Sequence, residues 1–321
     1  MSRFRPHARA SSRRVTRMAQ CALVILLFQS APGNAAQPGT AGFMSLRFGT
    51  GARFAGMGDT GVSLASDATA AYWNPAGLAG EKSTSIALQH NEWMETVRVE
   101  SASLAHATSI GVFGLHFSGL YLDEIQRTTT ASSISEGFFN VYEIAVQGGF
   151  GREVGTVEKL GKFEAGLGFK GLMSGIDDEK ASGWAVDVGS RLHTRIEGLT
   201  FAAAALHLGP EMTFIEDGFE LPVTLRVGGD YQIPFESQRT TLVLAYDLEV
   251  VNDDDPRNHF GAEVSYMDLF SLRGGWKTGF TTQSGSFGVG VRKAGYRFDY
   301  AYTSVSEDLG SAHRFSLAID L

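Results

Sequence analysis

From about residue 83 to the carboxyl terminus, apolar and polar side chains alternate with a period of two. In "GYRFDYAYTS", Tyr296, Phe298, Tyr300 and Tyr302 share one face while Arg297, Asp299 and Ala301 share the other. "TLVLAYDLEV" repeats this, setting Leu242, Leu244, Tyr246, Leu248 and Val250 against Val243, Ala245, Asp247 and Glu249, and "VTLRVGGDYQI", "FGAEVSY" and "SLRGGWK" follow the same rule. Strict alternation marks a strand with two unlike faces. About fourteen such segments occur, centred near residues 87, 102, 115, 145, 168, 188, 203, 228, 245, 262, 273, 289, 300 and 316. Each is about ten residues long, which suits a tilted membrane strand of about 9 to 11 residues better than the soluble average of about 5 to 6. No helical stretch separates them, so successive strands are expected to pair as antiparallel hairpins.

The connections alternate in length. Thr108-Ser109, "TRIEG", "PFESQ", Met267-Asp268 and Ala294-Gly295 are short, with "REVGTVEKLGK" the one longer member of that set. The other set is longer and more polar: residues 123–139, "SGIDDEKA", "GPEMTFIEDGFEL", "VNDDDPRN", "TGFTTQSG" and "SVSEDLGS". An even strand number with turns of alternating length is the pattern of an outer-membrane barrel. The polar face then points inward, carrying Glu143, Glu164, Lys170, Asp187, Arg191, Arg226, Asp230, Asp247, Glu263, Arg273, Lys277, Arg292, Arg297, Asp299, Arg314 and Asp320. A closed barrel leaves no backbone group unpaired in lipid. The terminal "RFSLAIDL" alternates to its end, as in the strand signal read by the barrel-assembly machinery, although it closes on Leu321 rather than an aromatic residue.

The first residues support export. Arg3, Arg5, Arg9, Arg13, Arg14 and Arg17 precede the apolar "ALVILLF" and the small-residue "SAPGNAAQ", the order of a cleaved signal with cleavage after Ala35 or Ala36. Losing those six arginines, with no acid among them, moves the formal net charge from -8 to -14. An acidic mature chain argues against nucleic acid as a partner. The single cysteine, Cys21, leaves with the signal, which excludes disulfides and thiolate chemistry.

Residues 41–82 lack any long alternating run. Asp67 is placed to cap a short helix through "ATAAYW", and Pro75 ends it. Asn74 can cap a second turn with Pro75 at its first position, closed by Gly77 or Gly80. Two short helical pieces joined at a kink are small enough to sit inside a barrel.

The apolar "FMSLRFGTGAR", the step "GMGDTGVSLASD" and "AAYWNPAGL" together resemble the amino-terminal signature of PorV/PorQ-type outer-membrane proteins, a branch of the FadL-like barrel superfamily. The resemblance is strongest over residues 41–80. It implies a luminal plug holding Asp67, Tyr72, Trp73, Asn74, Pro75, Ala76 and Gly77. It also implies one of two roles: partner or shuttle for secretion-system components or secreted proteins of the type IX kind, or channel for hydrophobic small molecules. The expected organisation is a signal over residues 1–35, a plug over 36–82 and a transmembrane antiparallel β-barrel of about 14 strands over 83–321, in bacterial outer-membrane lipid.

Other chemistry finds little purchase. "GLGFKG" matches a dinucleotide loop but opens no helix. "DDE" (177–179) and "DDD" (253–255) lack the spacing of a calcium loop. The scattered histidines give no zinc spacing, and no G-x-S-x-G occurs. No cofactor, metal or catalytic residue is expected. Of the two roles, luminal charges such as Arg226, Asp230, Glu263, Arg273, Arg297 and Asp299 favour a closed partner scaffold, because a path for apolar molecules needs part of the interior to be apolar.

Overall fold

A computed structural model describes residues 39–93, 97–128, 136–280, 283–305 and 311–321. The expected signal, with Cys21, and parts of the long connections at 123–139, 278–285 and 304–311 lie outside the described residues. The strands are β1 (Thr84–Trp93), β2 (Val97–Thr108), β3 (Gly111–Gln126), β4 (Phe138–Val157), β5 (Gly161–Ile176), β6 (Glu179–Thr194), β7 (Leu199–Leu208), β8 (Met212–Phe214), β9 (Asp217–Phe219), β10 (Thr224–Phe235), β11 (Thr240–Val251), β12 (Arg257–Tyr266), β13 (Phe270–Thr278), β14 (Gln283–Lys293), β15 (Tyr296–Val305) and β16 (Ser311–Asp320). Fourteen of them form one closed antiparallel barrel in chain order, sealed where β1 pairs β16. β8 and β9 form a separate hairpin in the connection between β7 and β10. The fourteen barrel strands coincide with the fourteen alternating segments of the sequence.

The faces are inverted relative to a water-soluble barrel. Tyr296, Phe298 and Tyr302 are 57%, 53% and 39% exposed, while Asp299 on the opposite face is 1% exposed. Phe169, Trp184, Leu272, Trp276 and Phe287 are exposed on the outside, and Glu164, Lys170, Asp187, Arg273, Lys277 and Arg314 are buried inside.

Strand length departs from the even ten residues expected. β4 has 20 residues, and β3, β5 and β6 have 16 each. At ~3.3 Å per residue and a tilt of ~40°, β4 rises about 50 Å along the axis, twice an apolar band of ~25 Å. The polar "REVGTVEKLGK" and "SGIDDEKA" are expected as connections. They are strand instead, with turns only at 158–160 and 177–178, because ladder pairing continues past the band into solvent.

Candidate functional site

Residues 41–80 run down the lumen, from the end bearing the long connections to the end bearing the short turns. At the long-loop end Ala41 N donates to Asp253 Oδ2 (2.9 Å), Gly42 N to the Glu220 carbonyl (3.0 Å), and Ser45 N to Glu143 (2.6 Å). Arg47 pairs with Asp253 and Asp254. The acidic run at 253–255 therefore anchors the amino-terminal segment. Two short helices follow, α1 (Ala52–Gly56) and α2 (Ala70–Trp73), and then a 3₁₀ turn, Pro75–Gly80.

The expected capping holds at one joint and moves at the other. Thr69, not Asp67, is the N-cap residue of α2. Asp67 Oδ1 accepts from Thr69 N (3.0 Å) and from the Thr69 hydroxyl, and its other oxygen meets Arg297. Asn74 is extended, as a residue before proline prefers, and its Oδ1 accepts from Ala76 N at 3.0 Å with Pro75 at the first helical position. Its Nδ2 donates to the Val62 and Ser190 carbonyls. Gly77 lies within the turn rather than ending it, where an added Cβ would strike the Ala65 carbonyl.

The wall is shaped to receive this segment. A Cβ on Gly166 of β5 would strike the Pro75 carbonyl and Ala76 nitrogen, and one on Gly189 of β6 would strike Asn74 Oδ1. Around the barrel, a Cβ on Gly275 of β13 would strike Gly58 N. Segment and wall thus meet backbone to backbone on two sides, leaving no room for the segment to rotate. Tyr72, Trp73, Pro75 and Ala76 are buried, with Trp73 N–H donating to the Thr50 carbonyl (2.9 Å) and the Tyr72 hydroxyl to the Leu46 carbonyl (2.9 Å).

Charges fasten the segment further. Arg273 bonds Glu263 (2.5 Å) and Asp299 (2.8 Å), Arg297 bonds Asp299 (3.1 Å) and Asp67 (2.6 Å), and Arg53 of α1 bonds Glu263 (2.7 Å). Four of the six emphasised luminal charges therefore join one network with the segment. Arg226 stands apart: it pairs with Glu249, lies 4.9 Å from the centre of the Trp73 ring and donates to the Asp59 carbonyl. Asp230 is buried and accepts from Gln232 (3.2 Å). Arg292 and Asp320 were expected inside. They pair with each other at the short-turn rim, with the Arg292 side chain 54% exposed, because both lie at strand ends.

Asp59, which stands in no motif of the sequence, receives Lys277 (2.7 Å) and Arg314 (2.9 Å). Burial opposes its ionisation, but those two cations hold it well below the ordinary carboxylate range. Burial likewise opposes Asp67, and Arg297 with the Thr69 bonds brings it down to about 2. Below the segment, a cavity of about 270 Å³ opens between Arg53, Glu263, Arg273, Arg297 and Asp299.

The interior is not charged throughout. At the long-loop end Phe43 and Leu46 pack with Ala145, Leu172, Ala181, Ala185, Met212 and Leu221, under Phe214 and Phe219 of the β8–β9 hairpin. Beside them Trp93, Val305 and Ala312 pack with Phe48 and Val97. The expected inward face alternates Arg or Lys with Asp or Glu; at the long-loop end that lining gives way to an apolar chamber wall packed around the segment's own Phe43, Leu46 and Phe48. No group of three or more His, Cys, Asp or Glu is placed to hold a metal among the described residues. Ser103 bonds His116 Nδ1 (2.8 Å) in the lumen, but His116 Nε2 meets no carboxylate.

Comparison with known proteins points to the same architecture. Residues 27–180 match the model of an uncharacterised protein family, UPF0164. No curated protein matches the chain. The toluene transporter TodX of P. putida is similar with a TM-score of 0.60 at 12% identity, covering 85% of this chain and 99% of that one. The toluene transporter TbuX of Ralstonia pickettii is similar with a TM-score of 0.56 at 13% identity, covering 84% and 97%. The likeness is one of fold.

Proposed function

We propose that this protein is a gated bacterial outer-membrane channel for small apolar molecules. The observation that carries the reading is the apolar chamber at the long-loop end of the lumen, roofed by a hairpin and floored by a charged, hydrogen-bonded hatch. A molecule such as toluene would exchange the segment's apolar side chains for its own surface there, a contact worth about 25 cal/mol per Å². The barrel shares its fold with two toluene transporters, and the sequence resemblance to the FadL-like superfamily agrees. The amino-terminal signal supplies the route to the envelope, and the exposed apolar exterior supplies the means of residence.

The test is uptake of radiolabelled toluene by cells that lack a channel of their own and express either the wild type or Leu172→Glu, which sets a charge in the chamber. Faster uptake with the wild type, lost in the variant while heat-modifiable mobility shows a folded barrel, supports the channel. Equal uptake with and without the protein refutes it. The secretion-partner role rests on the resemblance over residues 41–80 alone. Capture of secretion components with the tagged protein from solubilised outer membrane would favour that role.

A further inference from the structure

Two of the three polar side chains that β1 turns into the lumen bond the hatch. Ser85 Oγ accepts from Ala68 N (3.1 Å), and Gln89 Oε1 accepts from Gly51 N. Asn91, the third, is fully buried, yet neither its Nδ2 nor its Oδ1 has a hydrogen-bond partner among the described residues. Arg314 of β16 stands directly opposite it in the ladder. Its Nη1 meets Asp59 (2.9 Å) and the Gly49 carbonyl (3.3 Å), while its Nε likewise has no partner among the described residues. Residues opposed across an antiparallel ladder hold their Cβ atoms about 4.5–5.5 Å apart, so the free groups of Asn91 and Arg314 share one stretch of the lumen wall.

That stretch borders the apolar packing around Trp93. Trp93, the next inward residue of β1, meets the Phe48 ring edge-on at 5.2 Å, and Val305, Ala312 and Val97 pack around the two rings. Val99, opposite Asn91 on β2, is buried as well. Phe48 directly follows the 3₁₀ turn Met44–Arg47 and is tied to it through the Ser45 carbonyl (3.3 Å). A shift of that turn therefore withdraws the ring from Trp93 and leaves a slot with aromatic and aliphatic walls and a polar base. A buried amide with no partner forfeits its hydration without return, whereas Leu would fill the same volume without that cost.

We propose that this slot is a binding site for phenols, so that hydroxyl-bearing relatives of toluene are cargo of the channel. The inference rests on the channel reading above and sharpens its substrate class. The unpartnered set comprises two donor nitrogens, Asn91 Nδ2 and Arg314 Nε, and one acceptor, Asn91 Oδ1. A hydroxyl carries one O–H donor and two lone pairs, the complement of that set. A carboxylate offers no proton to Oδ1, an ammonium group is repelled by Arg314, and a bare hydrocarbon leaves all three unmet. The ring of the guest takes the place of Phe48 against Trp93, where aromatic pairs favour edge-on or offset contact.

Toluene and p-cresol differ by one hydroxyl, so the pair isolates that group. Uptake of each, radiolabelled, is compared in cells that lack a channel of their own and express the wild type or Asn91→Leu, which keeps the volume and removes both amide positions. Asn91→Leu, folded by heat-modifiable mobility, is expected to lower p-cresol uptake about tenfold, as loss of a buried hydrogen bond would, and toluene uptake less than about twofold. Unchanged uptake of both, or an equal loss of both, would overturn the phenol site. Uptake of neither compound by the wild type would refute the channel itself, an outcome distinct from toluene and p-cresol uptake indifferent to Asn91→Leu. A second measurement places the guest: Phe48→Ala vacates the slot, and crystals of that variant soaked in 4-bromophenol are expected to show bromine against Trp93. Bromine elsewhere, or bromobenzene bound there equally well, would overturn the site even if Asn91→Leu fails to fold.

Discussion

Asp59→Asn removes the carboxylate that holds two buried cations and keeps its volume. Lys277 and Arg314 are 3% and 2% exposed, so the substitution removes the carboxylate that both buried cations meet. Breaking a buried pair by deleting one partner costs about 3–5 kcal/mol. Arg314 still donates to the Gly49 carbonyl and Lys277 still lies 5.1 Å from the Phe280 ring, which places the loss near the lower end. The strain falls on the contact between hatch and wall, because the barrel ladder itself is untouched. With ~1.4 kcal/mol per factor of ten, about 3 kcal/mol raises the undocked population of the hatch roughly a hundredfold. Single-channel recording in planar bilayers measures it: brief openings, rare in the wild type, are expected to become about a hundred times more frequent, with unchanged urea stability of the barrel. Lys277→Gln added to Asp59→Asn removes one of the two buried cations and is expected to restore part of the closure, as coupled neighbours do. Openings unchanged in Asp59→Asn would refute the reasoning, and loss of the whole barrel would show that hatch and wall are not separable.

Acid should loosen the hatch through Asp67. Its carboxyl is lowered from 3.8 to about 2, so its contribution is complete above pH 3.8 and is lost as pH falls through about 2. Conductance titrated over that window should rise, and Asp67→Asn should remove this component of the rise. Gly166→Ala forces a methyl group against the backbone of Pro75 and Ala76; overpacking of about 1–3 kcal/mol is expected, seen as faster proteolysis of the hatch in detergent. Asn74→Ala deletes a cap of about 0.5–2 kcal/mol together with two bonds to carbonyls, and should raise hydrogen exchange over residues 70–80 while leaving the strands protected.

The strands were legible because a period of two, read residue by residue, fixes which side chains share a side, whereas the inversion of the faces followed from the signal, strand length and the alternation of short and long turns. Strand ends were not legible. "REVGTVEKLGK" and "SGIDDEKA" are polar since they stand above or below the lipid band, and polarity there looks the same in a loop and in a solvated ladder. The hatch was visible as a break in the alternation, and the Asn74–Pro75 joint followed from cap chemistry. The cap of α2 falls two residues later than Asp67, whose Oδ1 still accepts from Thr69 N while its other oxygen pairs with Arg297, 230 residues away in sequence, a pairing no local pattern encodes. Asp59 escaped notice for the same reason. The apolar chamber was hidden since Ala145, Leu172, Ala181 and Ala185 are few among the charges of their own strands, and become a chamber only when closure brings them to one end.

The account stands on the direction in which the two faces look. Single spin labels at Phe298→Cys and Leu272→Cys, in protein reconstituted into lipid vesicles, report whether each site meets dissolved oxygen, concentrated in hydrocarbon, or a water-soluble nickel chelate. Strong relaxation by oxygen and little by nickel at both sites is predicted. The reverse, or protection from both reagents as in a packed interior, would contradict it.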